Sequence, residues 1–247
     1  MPEEYVLLLS NEHRFVAKRG KVNTHVGTVD VSDASIGDII QAGDVTFVVA
    51  RPTFTDLLQS CRRAAQVVTL KDAVQIVSVT GLGRGWRCVD GGSGSGFLSL
   101  FMGHMVGPGG QVTTYERRED FHETVQRNIR RCGMEDVVTA KHGDIAMFEE
   151  RDLDLVTLDV KGAEELVERV HRRLRPGGWL AVYSPQIEQQ IAVRQNMEQT
   201  GFAHVTTMET MQRAWQSRGG YTRPKTKGLL HTGFLTYGRK VTASSQA

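Results

Sequence analysis

Short runs dense in aliphatic and β-branched residues open the chain at Tyr5–Leu9, Thr24–Val29 and Val45–Val49, punctuated by Gly20, Gly27, Gly37 and Gly43. Such runs between glycine turns predict strands, and their spacing predicts a small barrel-like β domain over residues 1–54. The pattern then changes period. Thr55 or Asp56 is the expected N-cap of a helix over Leu57–Ala65, and a second helix is expected over Lys71–Val79, ahead of the turn Gly81–Gly85. Beyond that turn, apolar runs alternate with segments whose apolar residues recur every three or four positions. The predicted strands are Arg87–Asp90, Gln111–Tyr115, Val137–Lys141, Leu153–Asp159, Trp179–Tyr183, His204–Met208 and Gly233–Gly238, with helices starting near Phe97, Asp120, Ala163 and Ile187. Arg175-Pro176-Gly177-Gly178 is expected to end a helix and turn directly into a strand. Strand and helix in alternation imply a parallel sheet, so residues 55–247 read as one doubly wound α/β domain. The residues from Val241 onward read as a frayed tail.

Composition narrows the class. The 247 residues are 40% hydrophobic and 23% charged, which argues against disordered and fibrous chains. No stretch reaches the roughly 20 apolar residues of a membrane-spanning helix. The acidic start, Met1-Pro2-Glu3-Glu4-Tyr5, lacks the basic and then apolar segments of a secretory signal, so a cytoplasmic protein with no membrane partner is expected. Cys61, Cys88 and Cys132 are widely spaced and read as buried thiols, and the eight histidines show no metal-ligand spacing, so no metal is expected.

Net charge is only +2, but it is unevenly spread. From Thr210 onward there are seven basic residues (Arg213, Arg218, Arg223, Lys225, Lys227, Arg239, Lys240) and no acidic one. Such a segment suits a polyanion, because neutralising phosphates releases counterions; a solubilising surface is the alternative.

The chemistry concentrates at strand ends. Arg87–Asp90 runs into Asp90-Gly91-Gly92-Ser93-Gly94-Ser95-Gly96, with a helix following at Phe97. Glycines permit a tight turn and close backbone approach, and the exposed amides of a helix start favour an anionic group. About twenty positions on, the next strand ends at Glu116, where a carboxylate can grip two ribose hydroxyls. A dinucleotide fold would satisfy both features. The third strand distinguishes the two, because it ends in His142-Gly143-Asp144, and a carboxylate there can accept a hydrogen bond from an adenine amino group.

Gly loop, Glu116 and Asp144 at successive strand ends resemble the S-adenosylmethionine site of class I methyltransferases, which also close their sheet with a hairpin such as Gly201–Gly238 would form. A narrower resemblance covers nearly the whole chain. Leu158-Asp159, Tyr183-Ser184-Pro185-Gln186-Ile187-Glu188-Gln189, Arg213-Ala214-Trp215, Arg223-Pro224 and His231-Thr232-Gly233-Phe234-Leu235 are similar to the tRNA (adenine-58-N1)-methyltransferase family, as are the small N-terminal β domain and the stretch from Gln66 to Lys71-Asp72. The resemblance implies a class I methyltransferase fold, with a doubly wound sheet of seven strands, the last antiparallel, and a small N-terminal β domain. It implies S-adenosyl-L-methionine as cofactor, held by Gln66, Gly92, Ser93, Gly94, Ser95, Gly96, Glu116, Arg117, Asp144 and Asp159. Asp159 and Tyr183 would be catalytic, and Arg213, Trp215, Arg223, Lys225 and His231 would bind substrate. It further implies tRNA as partner and a homotetramer.

Two features depart from the family pattern. The fourth-strand Asp is there followed by Pro and Trp, whereas this chain reads Asp159-Val160-Lys161-Gly162-Ala163-Glu164, and the family's Tyr-Pro before Lys-Asp is replaced by Thr69-Leu70. Both fall on base positioning and target choice rather than on the cofactor loop. Methylation of adenine N1 in the T-loop is thus the expected activity. The rivals are a methyltransferase of the same fold acting on another RNA or a small molecule, and a non-catalytic tRNA-binding paralogue.

Overall fold

The computed structural model describes residues 4–64, 66–226, 228 and 231–241. In chain order its N-terminal strands are β1 (Tyr5–Leu9), β2 (Arg14–Lys18), β3 (Lys21–Thr24), β4 (Gly27–Asp30), β5 (Ile39–Ala42) and β6 (Val45–Ala50). They form a four-stranded sheet ordered β2-β1-β6-β5 and a separate β3-β4 hairpin. The run Thr24–Val29 is therefore not one strand. His25 and Val26 form its turn, closed where Thr24 Oγ1 donates to the Gly27 carbonyl at 2.7 Å, and Gly27 takes a φ of +141°. Val6, Leu8, Val29, Phe47 and Val49 share a small core of their own here.

Two helices, α1 (Phe54–Ser60) and α2 (Leu70–Thr80), lead to the main sheet. The N-cap of α1 is Thr53, upstream of both expected residues. Thr53 and Asp56 form a reciprocal capping box, and the carboxylate of Asp56 accepts from the backbone N–H of Thr53 at 2.8 Å. The helix stops at Ser60, short of its predicted end; Ala65, like Lys227 and the tail after Val241, lies outside the described residues.

The remaining elements are β7 (Arg87–Gly91), α3 (Phe97–Val106), β8 (Gln111–Glu116), α4 (Glu119–Cys132), β9 (Val138–His142), β10 (Leu153–Leu158), α5 (Ala163–Arg173), β11 (Leu174–Ser184), α6 (Ile187–Thr200), β12 (Phe202–Met208), β13 (Trp215–Arg218), β14 (Tyr221–Pro224) and β15 (Phe234–Lys240). Seven strands form one sheet ordered β12-β15-β11-β10-β7-β8-β9. The contacts β11-β10-β7-β8-β9 are parallel, while β15 runs antiparallel to both β11 and β12. Arg175–Gly178 belongs to β11 rather than preceding it. Leu153 pairs with Leu174 and Leu155 with Trp179, so these four residues bulge out of the ladder.

Successive residues of the central strands face opposite layers. Cys88, Leu155 and Ala181 pack toward α1–α4, whereas Val89, Val156 and Val182 pack toward α5 and α6. Burial on both faces explains the unbroken apolar runs that mark these strands. The three cysteines are free and buried, and the Cys61 and Cys132 sulfurs lie 3.5 Å apart. Among the described residues no helix is long and apolar enough to cross a membrane.

Candidate active site

Parallel strands deliver their carboxyl ends to one edge of the sheet, and the crevice there is where open α/β sheets bind ligands. A cavity of about 430 Å³ opens at that edge, in the size range of small-molecule sites. Its floor is the glycine loop after β7. Gly92 has a φ of +89°, and a Cβ there would fall 2.4 Å from the Asp159 carbonyl oxygen. Only glycine lets the loop lie this close to the end of β10, where the Asp159 N–H donates to the Gly91 carbonyl at 2.8 Å.

Beneath the loop, Asp90 is buried, with Thr114 of β8 donating to one carboxylate oxygen at 2.9 Å and Thr157 of β10 to the other at 2.7 Å. The Ser93 hydroxyl meets Thr114 at 2.6 Å and so ties the loop to this network. Burial pushes the Asp90 carboxyl up to about 6, against the opposing effect of its two threonine donors. Burial, reinforced by the Asp90 charge, pushes Asp159 up to about 7. Lys161 lines the cavity beside Asp159, yet among the described residues no ion pair joins them.

On the back of the loop, the Ser95 hydroxyl accepts from the Ala64 N–H at 2.7 Å, and Asn128 of α4 donates to the Ser95 carbonyl at 2.8 Å. At the end of β8, Glu116 is buried and accepts from the Gly94 N–H at 2.9 Å and the Arg118 N–H at 3.0 Å. An ionised carboxylate has about four acceptor positions, so two backbone amides leave it room for a ligand's hydroxyls. Past β9, Asp144 caps a short 3-10 turn by accepting from the Ala146 N–H at 2.8 Å.

Gln66, Gly92, Ser93, Gly94, Ser95, Glu116, Arg117, Asp144 and Asp159 all line this one cavity. Gly96 does not. It is the N-cap of α3 with a φ of +79°, set back against Val125. Tyr183 is also outside the lining. It is buried at the end of β11, its ring packs on Gly233, where a Cβ would fall 2.5 Å from the ring, and its hydroxyl donates to the Thr232 carbonyl. Burial pushes that hydroxyl up to about 12, so it keeps its proton near neutrality. Tyr183 therefore offers packing rather than a free ring face or a base.

The expected substrate residues lie elsewhere. Trp215 opens β13 and is exposed; it pairs with Pro224 at the end of β14, and the Lys225 N–H donates to the Ala214 carbonyl at 2.8 Å. Arg223 lies on β14 with its guanidinium 5.9 Å from the Tyr221 ring centroid. This hairpin carries Trp215, Arg223 and Lys225 together, and Arg213 is exposed just before it. His231 stands apart, between Glu209 Oε1 at 2.5 Å and the Pro185 carbonyl at 3.2 Å, and Glu209 holds its imidazole above the usual histidine range.

Two features escape a reading of the sequence. Asp90 becomes part of the site only through threonines 24 and 67 residues away. The apolar walls, Leu98, Phe121 and Ile145, carry no signal that separates them from core residues.

A cavity of this size with a glycine loop at its floor and the carboxyl groups of Glu116, Asp144 and Asp159 along its walls suits a cationic adenosyl ligand. The seven-stranded sheet with β15 reversed and this site define a class I methyltransferase that uses S-adenosylmethionine. The chain belongs to the family of the tRNA methyltransferase complex GCD14 subunit, which matches residues 49–226. It is 28% identical to the tRNA (adenine(57)-N(1)/adenine(58)-N(1))-methyltransferase TrmI of Methanocaldococcus jannaschii, over 95% of this chain and 94% of that protein. It is 31% identical to the tRNA (adenine(58)-N(1))-methyltransferase TrmI of Thermus thermophilus, over 79% and 78%. Among solved structures, one from Thermotoga maritima described as an S-adenosylmethionine-dependent O-methyltransferase superposes with a TM-score of 0.87 at 26% identity, covering 98% of this chain and 94% of that one.

Proposed function

We propose that this protein transfers a methyl group from S-adenosylmethionine to N1 of the adenine at position 58 in the T-loop of tRNA. The observation that carries this reading is Asp159, a half-buried carboxyl at the end of β10 that abuts the glycine loop and lines the cofactor cavity. The relatives named for this reaction support it, as does the basic hairpin. When bound, S-adenosylmethionine supplies an electrophilic methyl on a positively charged sulfur. Glu116 would hold its ribose hydroxyls and Asp144 its adenine amine, with the Gly92–Ser95 stretch of the loop lining the same cavity. Adenine N1 carries an in-plane lone pair, so the base, once turned out of its stack, needs alignment rather than deprotonation. Asp159 accepts from the exocyclic amine of the target adenine and stabilises the positive charge that grows on the ring. Trp215, Arg213, Arg223, Lys225 and His231 receive the RNA, as aromatic and basic groups receive bases and phosphates.

Mapping modified bases by mass spectrometry, after incubation of tRNA transcripts with protein and cofactor, tests the reading. A 1-methyladenine at position 58 is expected; tRNA without a methyl, or with one on another base, overturns it. The O-methyltransferase description of the Thermotoga structure favours a second reading, in which a small hydroxylated molecule is the acceptor. Transfer to such an acceptor with none to tRNA would select it.

Two variants probe the two halves of the site. Glu116→Ala is expected to weaken cofactor binding by about 1.5–3 kcal/mol, since a charge-assisted pair of hydrogen bonds is lost and the Gly94 N–H is released; titration calorimetry reads this directly. Replacing Arg223 and Lys225 together with glutamine is expected to weaken tRNA binding and flatten its salt dependence, with cofactor affinity unchanged. An unaltered salt slope would return the hairpin to ordinary solvated surface.

The resemblance also supports a cytoplasmic homotetramer. Ile187, Ile191 and Met211 are exposed in the single chain, apolar surface of the kind that associating copies cover. Light scattering on the purified protein reads the mass.

A further inference from the structure

A second cleft, of about 460 Å³, lies where the N-terminal sheet meets α4. Lys18 of β2, Arg62 after α1, and Arg127, Arg130 and Arg131 of α4 line it. Their charges are unequally answered. Lys18 pairs with Glu4 at 2.8 Å, and Arg127 faces Glu123 only at 3.8 Å. Arg131 donates to Ser60 Oγ at 3.0 Å and lies 4.8 Å from the Tyr5 ring centroid. Among the described residues no carboxylate pairs with Arg62 or Arg130, and both are exposed.

The convergence is built rather than incidental. Arg127, Arg130 and Arg131 stand at i, i+3 and i+4, where like charges on one helix face repel. The C-terminal end of α4 offsets this for Arg130 and Arg131, because cations there meet the negative end of the helix dipole. It does not account for Arg62, which arrives from another segment. The buried Asn128 side chain accepts from the Arg62 N–H at 3.1 Å and donates to its carbonyl at 2.9 Å, which clamps that backbone to the same face of α4.

The cleft adjoins the proposed site. The same Asn128 donates to the Ser95 carbonyl in the glycine loop, and a few residues beyond Arg62 the chain reaches Gln66, Val67 and Val68 in the wall of the cofactor cavity. S-adenosylmethionine carries no phosphate, so a cluster of guanidinium forks beside its cavity, two of them (Arg62 and Arg130) without a carboxylate partner among the described residues, suits the other substrate. Such forks match phosphate oxygens in pairs. We infer that this cleft binds backbone phosphates of the RNA substrate, as an anchoring site separate from the β13–β14 hairpin. The inference rests on the tRNA reading above.

The test compares the wild-type protein with two double variants, Arg62→Gln/Arg130→Gln and Arg62→Glu/Arg130→Glu, in tRNA binding from about 50 to 200 mM salt. The neutral pair is expected to lower affinity roughly tenfold and to make the slope of log K against log salt shallower by about 1.5–2, and the reversed pair to lower affinity further. Turnover at saturating tRNA and cofactor affinity stay at wild-type values, since neither arginine touches the cofactor cavity. Wild-type affinity and slope in both variants, with methylation intact, would overturn the cleft alone. A wild-type protein that places no methyl in tRNA would instead overturn the functional reading on which it rests.

Discussion

Turnover on tRNA is expected to fall by on the order of 10²-fold or more in Asp159→Ala, a far larger effect than on the affinity for cofactor or tRNA. The reason lies in when the carboxylate acts. Charge appears on the adenine ring only as the methyl arrives, so a group that stabilises it contributes in the transition state and little in the bound ground state. The pH profile carries the same signature. With the Asp159 carboxyl raised from 3.8 to about 7 by burial and by Asp90, the free enzyme holds it protonated in mildly acidic solution, and kcat/KM is expected to climb as pH rises through about 7. Stability moves the other way. Between the ordinary carboxyl pKa of 3.8 and about 7 the folded state holds a proton that the unfolded chain has released, so stability falls as pH rises through that window. The variant should lack the rise in kcat/KM, and its stability slope should shrink to the part that Asp90, raised to about 6, still contributes between 3.8 and about 6. Single-turnover kinetics at saturating tRNA, together with thermal unfolding at several pH values, checks them, and a variant with wild-type turnover would remove Asp159 from the reaction.

What could be read in advance follows from how local each signal is. A parallel strand buried on both faces leaves an apolar run flanked by helical periodicity, and Phe97, Ala163 and Ile187 begin helices where that periodicity begins. Glu116, Asp144 and Asp159 are legible as a set for the same reason, since each closes or follows a strand of one sheet and all three meet in one cavity. Features set by a partner far along the chain are not legible. Thr24–Val29 has the composition of a strand, but Gly27 and the Thr24 side chain fold it into a hairpin. Arg175–Gly178 reads as a turn, yet Leu174 already pairs with Leu153 and the four residues become a bulge inside the strand. The same holds for function. By resemblance Tyr183 reads as a catalytic residue, until Gly233 is seen closing over its ring and the Thr232 carbonyl accepting its hydroxyl.

The contact at Thr232 leads to the variant with the largest expected effect on stability. Lys71, at the start of α2, places Nζ 2.6 Å from Asp72 Oδ1 and 2.7 Å from Thr232 Oγ1. The other Asp72 oxygen accepts from Thr69 at 2.7 Å and from Thr232 at 2.9 Å. Only 9% of the Lys71 side chain and 1% of the Asp72 side chain meet solvent, so this is a buried ion pair joining α2 to the segment that enters β15. Its net worth against an apolar pair is small, because taking both charges from water costs nearly what their attraction returns. Removing one partner is different, as the remaining charge keeps its desolvation cost and loses the compensation. Lys71→Met is accordingly expected to destabilise the protein by about 3–5 kcal/mol. Lys71→Met/Asp72→Asn, which leaves neither charge and keeps acceptors for Thr69 and Thr232, should recover a large part of that loss. Denaturant unfolding of both variants decides the matter. A Lys71→Met protein within about 1 kcal/mol of wild type, the range of exposed pairs, would show that the Thr69 and Thr232 hydroxyls alone suffice to hold the Asp72 carboxylate in the interior.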